Sequence, residues 1–195
     1  MMYINEEVFS LKIKVGVSNR HVHLNREDID ILFGKGYELS VLFELTQPGM
    51  FAAEERVVLK GPKGHIEKVR IVGPLRSYTQ IEVSRTDAKI LGVNPPIRDS
   101  GDLEGSAPIT LIGPQGSVRK KEGCIIAARH IHTNFDDGIP YNAWDIVKLG
   151  FGDMVMTNVM IKKSDKFVLE LHIDKDDARK FGLKNKDIID FKIGE

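Results

Sequence analysis

Two short runs hold most of the histidine in this chain. Arg20-His21-Val22-His23-Leu24-Asn25 recurs as Arg129-His130-Ile131-His132-Thr133-Asn134, an offset of 109 measured from His21 to His130. On an extended strand, residues two apart share a face, so each His-x-His pair presents its imidazoles side by side. That spacing lets two nitrogens grip one metal ion. For a single copy, a pair of polar surface histidines is the plain alternative. A second copy with the same flanking arginine and asparagine favours the metal.

A second repeat offers each pair a third ligand. Ile81-Glu82-Val83-Ser84-Arg85-Thr86-Asp87-Ala88 matches Leu171-His172-Ile173-Asp174-Lys175-Asp176-Asp177-Ala178, an offset of 90 measured from Glu82 to His172. Gly92-Val93 and Gly182-Leu183 keep that offset. Glu82 and His172 each lie between two apolar residues, and carboxylate and imidazole both bind zinc-like ions. Two candidate sets result: His21, His23 and Glu82, and His130, His132 and His172. Three protein ligands with one position open is the arrangement of a catalytic zinc, and other divalent metals suit the same atoms. The alternative is that Glu82 and His172 merely point outward from half-buried strands. Five of the six histidines fall in the repeats; His65, after a Gly-Pro-Lys-Gly turn, reads as a loop residue. Arg20 and Arg129 precede the pairs, and Arg76 stands six residues before Glu82. An arginine beside a metal suits phosphate or carboxylate, though each also fits a structural or solvated role.

Little else competes. Walker-type and dinucleotide-type glycine loops and a Gly-x-Ser-x-Gly elbow are absent from the sequence. Cys124, the single cysteine, lies in an apolar run and reads as a buried, inert thiol in a reducing, cytosolic setting. Lysine plus arginine and aspartate plus glutamate number 28 each, which removes the electrostatic case for general nucleic-acid or anionic-membrane binding. No apolar run reaches the roughly 18 residues of a membrane span. The first residues carry Glu6 and Glu7 and lack the apolar core of a secretory signal. Met2, Tyr3, Ile4, Val8 and Phe9 could form a short amphipathic turn, but an ordinary leader is the expectation.

The elements that must position these groups are mostly short strands. With 195 residues, 42% of them hydrophobic, the chain can bury a core without staples. Ile13, Val15 and Val17 alternate, as do Ile81 and Val83, and Phe167, Leu169, Leu171 and Ile173. Cys124 to Ala128 reads as a fully buried strand. Turns are expected at Gly61-Pro62-Lys63-Gly64, Gly73-Pro74, Pro95-Pro96 and Gly113-Pro114-Gln115-Gly116. Short helices are expected after caps at Asn25, at Thr86, at Asp176 or a neighbour, and at Asn142, the last carrying Trp144, Val147 and Leu149. A third, weaker match pairs Leu59 to Gly64 with Leu111 to Gly116. Many strands and few helices predict a mainly β fold, and the repeats predict two related barrel-like units without an obvious linker.

Val15-Gly16-Val17-Ser18-Asn19-Arg20-His21-Val22-His23-Leu24, Pro74-Leu75-Arg76-Ser77-Tyr78-Thr79-Gln80-Ile81-Glu82 and Ala128-Arg129-His130-Ile131-His132 together resemble the motifs of PduL-type phosphate acyltransferases (phosphate propanoyltransferases). The resemblance runs from about Lys12 to the end. It implies two β-barrels capped by short helices, with the first strand exchanged into the C-terminal barrel. The corresponding units are 20–127, a central barrel, and 128–195, a C-terminal barrel joined by strand 12–19. It implies two zinc ions per chain in a site between the barrels, one on His21, His23 and Glu82, the other on His130, His132 and His172. Arg76 matches the family's phosphate-binding arginine, and so becomes both the catalytic and the substrate-binding candidate. The implied reaction is acyl-CoA plus phosphate giving acyl phosphate plus CoA, reversibly, as in propanediol degradation. A homodimer is suggested by the same resemblance. Members packaged in bacterial microcompartments carry a longer amphipathic leader than the dozen residues found here, so association with a microcompartment shell is doubtful and plain cytosol is expected.

The chemistry of such a reaction assigns one zinc to the CoA sulfur, since zinc stabilises thiolate, and the other, with Arg76, to orienting phosphate. No activated nucleophile is visible, so direct transfer without an acyl-enzyme is expected. Two rivals stand beside it. A dinuclear metallohydrolase would use metal-bound hydroxide on an ester, thioester or phosphoester, but Leu24-Asn25-Arg26 does not continue a His-x-His-x-Asp-His run. A metal-stabilised binding module would expect closed four-ligand sites, and each half offers three.

Overall fold

The computed structural model describes residues 9–194. The leader turn considered over Met2, Tyr3, Ile4 and Val8 lies outside the described residues. The chain opens with β1 (Phe9–Ser18). There follow β2 (His21–His23), α1 (Arg26–Phe33), β3 (Val41–Glu44), β4 (Phe51–Lys60), β5 (His65–Gly73), β6 (Gln80–Glu82), α2 (Arg85–Leu91), β7 (Ile97–Arg98), β8 (Ala107–Ile112) and β9 (Ser117–Ala127). The last stretch holds β10 (His130–Thr133), β11 (Ile146–Phe151), β12 (Met154–Lys163), β13 (Glu170–Asp174), α3 (Lys175–Phe181) and β14 (Ile188–Gly194). The fold is mainly β, as the strand-rich pattern predicts. Among the described residues no helix is long and apolar enough to cross a membrane.

Two compact units result, one spanning Asn19–Ala127, the other joining the segment that ends at Ser18 to the one that starts at Ala128. In the first, strands run β4-β5-β2-β6-β9, and β8 pairs with both β9 and β4, which closes a six-stranded ring; β3 and β7 lie outside it. In the second, β1-β13-β10-β12-β11-β14 forms a closed barrel. β1 is the exchanged first strand: it runs parallel to β13 and antiparallel to β14. Closure removes free edges and leaves one interior per unit. Alternation then fills each interior: Val22, Leu59, Ile71, Ile81, Leu111 and Cys124 in the first, Ile13, Val15, Ile131, Leu171 and Phe191 in the second.

The helix caps show how each strand turns into its helix. Asn25 caps α1 as expected, its side chain accepting from Asp28 N. The cap of α2 is Ser84, not Thr86, because Ser84 and Asp87 bond reciprocally to each other's backbone N–H in a capping box. The cap of α3 is Asp174, which accepts from Asp176 N and Asp177 N. The expected helix after Asn142 is absent: Val147, Leu149 and Phe151 are buried with period two, as β11, and Trp144 has a positive φ of 77° that breaks any helical run. The alternating stretch from Phe167 is strand only from Glu170 onward. His65 begins β5 instead of lying in a loop.

The weakest repeat proves to lie inside one unit, not between two. Gly61-Pro62-Lys63-Gly64 and Gly113-Pro114-Gln115-Gly116 are the turns of the β4–β5 and β8–β9 hairpins, and Leu59 pairs with Leu111 where those hairpins meet. Each turn caps a helix end: Lys63 N donates to Leu91 O of α2, and Gln115 N donates to Leu32 O of α1. Orphan carbonyls at helix C-termini need such donors.

Candidate metal centre

In each unit two antiparallel strands place four side chains on one face. His21 lies opposite Glu82 and His23 opposite Gln80 across β2 and β6. His130 lies opposite His172 and His132 opposite Glu170 across β10 and β13. Directly opposed pairs stand about 4.5–5.5 Å apart at Cβ, so side chains on these two-residue faces must meet. His21, His23 and Glu82 bring one ligand atom each within 4.8 Å of one another, and so do His130, His132 and His172. Every candidate ligand read from the spacing is thus placed with its own histidine pair.

The hydrogen bonds behind the imidazoles decide which nitrogen is offered. His21 Nδ1 stands 2.8 Å from Asn19 O, and His23 Nδ1 stands 3.0 Å from Val72 O. A carbonyl only accepts, so both Nδ1 atoms carry the proton and both Nε2 atoms offer lone pairs. Those two Nε2 atoms face each other at 3.2 Å, with Glu82 carboxylate oxygens 3.5 Å from His21 and 3.8 Å from His23. Burial, then the nearby His21 and Arg76 charges, push His23 well below the usual imidazole range against the pull of Val72 O. Imidazole nitrogens and a carboxylate converging on one point are what a divalent cation requires.

The second set differs in its supports. His130 Nδ1 donates to Ala128 O at 2.8 Å, leaving Nε2 as the acceptor. Burial, Lys162 and the other two imidazoles hold His130 well below its ordinary value. Burial, then His172 and Lys162, lower His132 to about 3, with Glu170 opposing. His132 Nδ1 is buried with no hydrogen-bond partner among the described residues. An orphaned buried nitrogen beside two further imidazoles again fits a metal-binding donor set.

The three arginines separate. Arg20 Nη1 donates to Asp87 at 2.9 Å, and Arg129 holds Asp177 through Nε and Nη2 at 2.6 and 2.7 Å. Asp87 and Asp177 lie in the first turns of α2 and α3, so both arginines tie a His-x-His strand to a helix start. Arg76 instead donates through Nη1 to Ser100 Oγ at 3.0 Å and lies 3.5 Å from Tyr78 OH. Its backbone N–H donates to Leu24 O, two residues after His23's neighbour Val22. Cys124 is buried, and burial pushes its thiol up to about 12, which removes it as a nucleophile.

Motif spacing alone misses three polar residues of these sites. Fully buried Gln80 donates from Nε2 to Glu82 Oε1 at 2.7 Å and to Ser100 Oγ at 2.9 Å, and accepts from Gly101 N at 2.8 Å. Ser100 therefore joins Arg76 to Gln80, and Gln80 holds Glu82. Glu170 is the matching residue of the other ladder. A polar residue two before each third ligand, at the same offset of 90 from Gln80 to Glu170, is the signal that could have found the pair.

The family model described as phosphate propanoyltransferase matches residues 14–184. Curated proteins named phosphate propanoyltransferase are similar over most of their length. The one from Thermotoga maritima is 48% identical, over 97% of this chain and 95% of its own. The one from Rhodobacter capsulatus is 48% identical, over 91% and 85%. The one from Priestia megaterium is 51% identical, over 85% and 79%.

Proposed function

The chain belongs to the phosphate propanoyltransferase family and is an acyltransferase, and from that premise we propose that it moves a short acyl group reversibly between CoA and inorganic phosphate, with a divalent metal, most simply zinc, on each three-ligand set. The observation that carries the metal reading is the convergence of His21, His23 and Glu82, and separately of His130, His132 and His172, each within 4.8 Å. When bound, such an ion supplies a Lewis acid able to hold a thiolate or a phosphate oxygen. Arg76 binds phosphate: its planar fork of donors matches two phosphate oxygens, and Ser100 steadies one arm of it at 3.0 Å. Gln80 keeps Glu82 oriented through its amide, so the carboxylate does not rotate away from His21 and His23. Oriented phosphate would attack the thioester carbonyl directly, the new C–O bond giving acyl phosphate as the C–S bond breaks and CoA leaves as thiolate, since the one cysteine is buried and inert. The units 20–127 and 128–195 with strand 12–19 each carry one metal set in this reading. The cytosol is its setting, and a homodimer its assembly.

The test mixes protein, acyl-CoA and phosphate and follows free thiol, with and without phosphate. Phosphate-dependent release is the expected result. Phosphate-independent release would make the protein a hydrolase. No release, with metal still bound, would make it a binding module.

A further inference from the structure

Glu170 is a carboxylate that neither three-ligand set includes, yet it is only 4% exposed. A buried charge needs partners. Its Oε2 accepts from His172 Nε2 at 2.7 Å, and its Oε1 lies 3.3 Å from Lys14 Nζ. Since a carboxylate accepts, His172 Nε2 carries the proton and Nδ1 is left to offer a lone pair.

The room for this carboxylate comes from β1. Gly16 is the neighbour of His172 in the parallel register of β1 and β13. A Cβ at position 16 would stand 3.0 Å from Glu170 Cδ and 3.2 Å from Oε2, closer than such atoms normally approach. The Gly16 backbone is ordinary strand. Any Cβ there would crowd the Glu170 side chain, a constraint of space and not of conformation.

The other unit shows the same device with its chemistry inverted. Gln80 stands two residues before the carboxylate ligand Glu82 and donates to it from Nε2. Glu170 stands two residues before the imidazole ligand His172 and accepts from it. An amide donor serves the anionic ligand, and a carboxylate acceptor serves the N–H-bearing ligand. Exchange of the third ligand between the units is matched by exchange of its support.

We propose that Glu170 is a positioning residue for His172, seated in the slot that Gly16 leaves open, and that it sets the affinity of the His130, His132 and His172 site for its metal. The inference rests on the metal reading above. Outer partners of metal-bound histidines typically change affinity about 10–100-fold when removed.

The test titrates zinc into metal-free protein against a chromophoric chelator and records the visible spectrum of the cobalt-substituted protein, with thermal melts alongside. The parent should bind two ions. Glu170→Ala should weaken one site about 10–100-fold and alter its cobalt bands, leaving the other site unchanged. Glu170→Gln should recover part of the loss, because its amide oxygen still accepts from Nε2. Gly16→Ala should weaken the same site, and should add little once Glu170 is alanine, since the pair then acts through one contact. A parent that binds no metal overturns the metal reading and this inference with it. A parent that binds two ions while Glu170→Ala keeps parental affinity and spectrum overturns the inference alone. If Glu170→Ala does not fold, Glu170→Gln decides: partial loss at one site supports the role, and parental behaviour at both sites overturns it.

Discussion

Arg76 is where substrate binding separates from metal assembly. It is bonded to Ser100 and lies near Tyr78, but it is outside both three-ligand sets. Arg76→Ala should keep both metals and a normal melt, yet lose at least about tenfold in phosphate-dependent turnover, because a charge-assisted hydrogen bond is worth roughly 1.5–3 kcal/mol. Arg76→Lys should restore only part, since lysine offers a point charge in place of a fork. Initial rates against phosphate at saturating acyl-CoA, with metal content, check this. The buried imidazoles make a second prediction for the metal-free chain. In the unfolded chain His132 takes up a proton near 6.5, but the folded chain resists until about 3. The unfolded state therefore binds more protons as pH falls below 6.5, so stability is fully present above that value and declines towards 3, by at most about 1.4 kcal/mol per pH unit for each such histidine. His23 and His130 are lowered in the same direction. Melts of metal-free protein from pH 7.5 downward should fall, and less steeply in His132→Gln. A flat profile in the parent would contradict the assignment of neutral buried imidazoles.

At the scale of elements, the two glycine-proline turns matter more than their hairpins suggest. A Cβ on Gly61 would overlap Leu91 O outright, and one on Gly113 would lie 2.5 Å from Leu32 O. Both closest atoms are backbone, so neither can swing aside. Gly61→Ala and Gly113→Ala should each cost about 1–3 kcal/mol, read as a lowered melting midpoint, because the turn must lift from the helix end it caps. Alanine at Gly34, where nothing lies within 4 Å, meets only the cost of its positive φ of 110°. These turns were legible in the sequence as turns, and their repetition was visible too, but what they dock against was not. The same division runs through the site. His21, His23, His130 and His132 could be read because a spacing of two is a local property of a strand. Glu82 and His172 could be read because the chain duplicates. Gln80 and Glu170 leave only a shared offset as a signal, and Ser100 leaves none, because their roles depend on which strand or loop lies alongside, and register is a tertiary fact. The stretch after Asn142 misleads for a local reason: Trp144 and Val147 keep a helical spacing of three, while Val147, Leu149 and Phe151 keep the strand spacing of two that the chain adopts.

At the scale of the whole chain, the two units differ in how they are closed. The unit Asn19–Ala127 is continuous in sequence, whereas the other is completed only when β1 takes its place between β13 and β14. The pairs Val15 with Leu171 and Ile13 with Ile189 bring together residues more than a hundred and fifty positions apart. Ile13 and Val15 are fully buried in that barrel, and Gly16 lies beside His172. Removing residues 1–18 would therefore open a closed barrel, expose the unpaired edges of β13 and β14, and take two core side chains worth about 1.5–3 kcal/mol each. His21, His23 and Glu82 lie on β2 and β6, which pair with β5 and β9 and make no use of β1. The shortened chain should accordingly lose the metal on His130, His132 and His172 and keep the one on His21, His23 and Glu82, about one ion per chain in place of two. Elemental analysis after dialysis against a weak chelator gives the count, and amide hydrogen exchange locates the loss. Protection should vanish from β10 to β14 and persist from β4 to β9. Retention of both metals would mean that the barrel holds its histidines without its first strand, and loss of both would mean that the continuous unit cannot keep its site without the other.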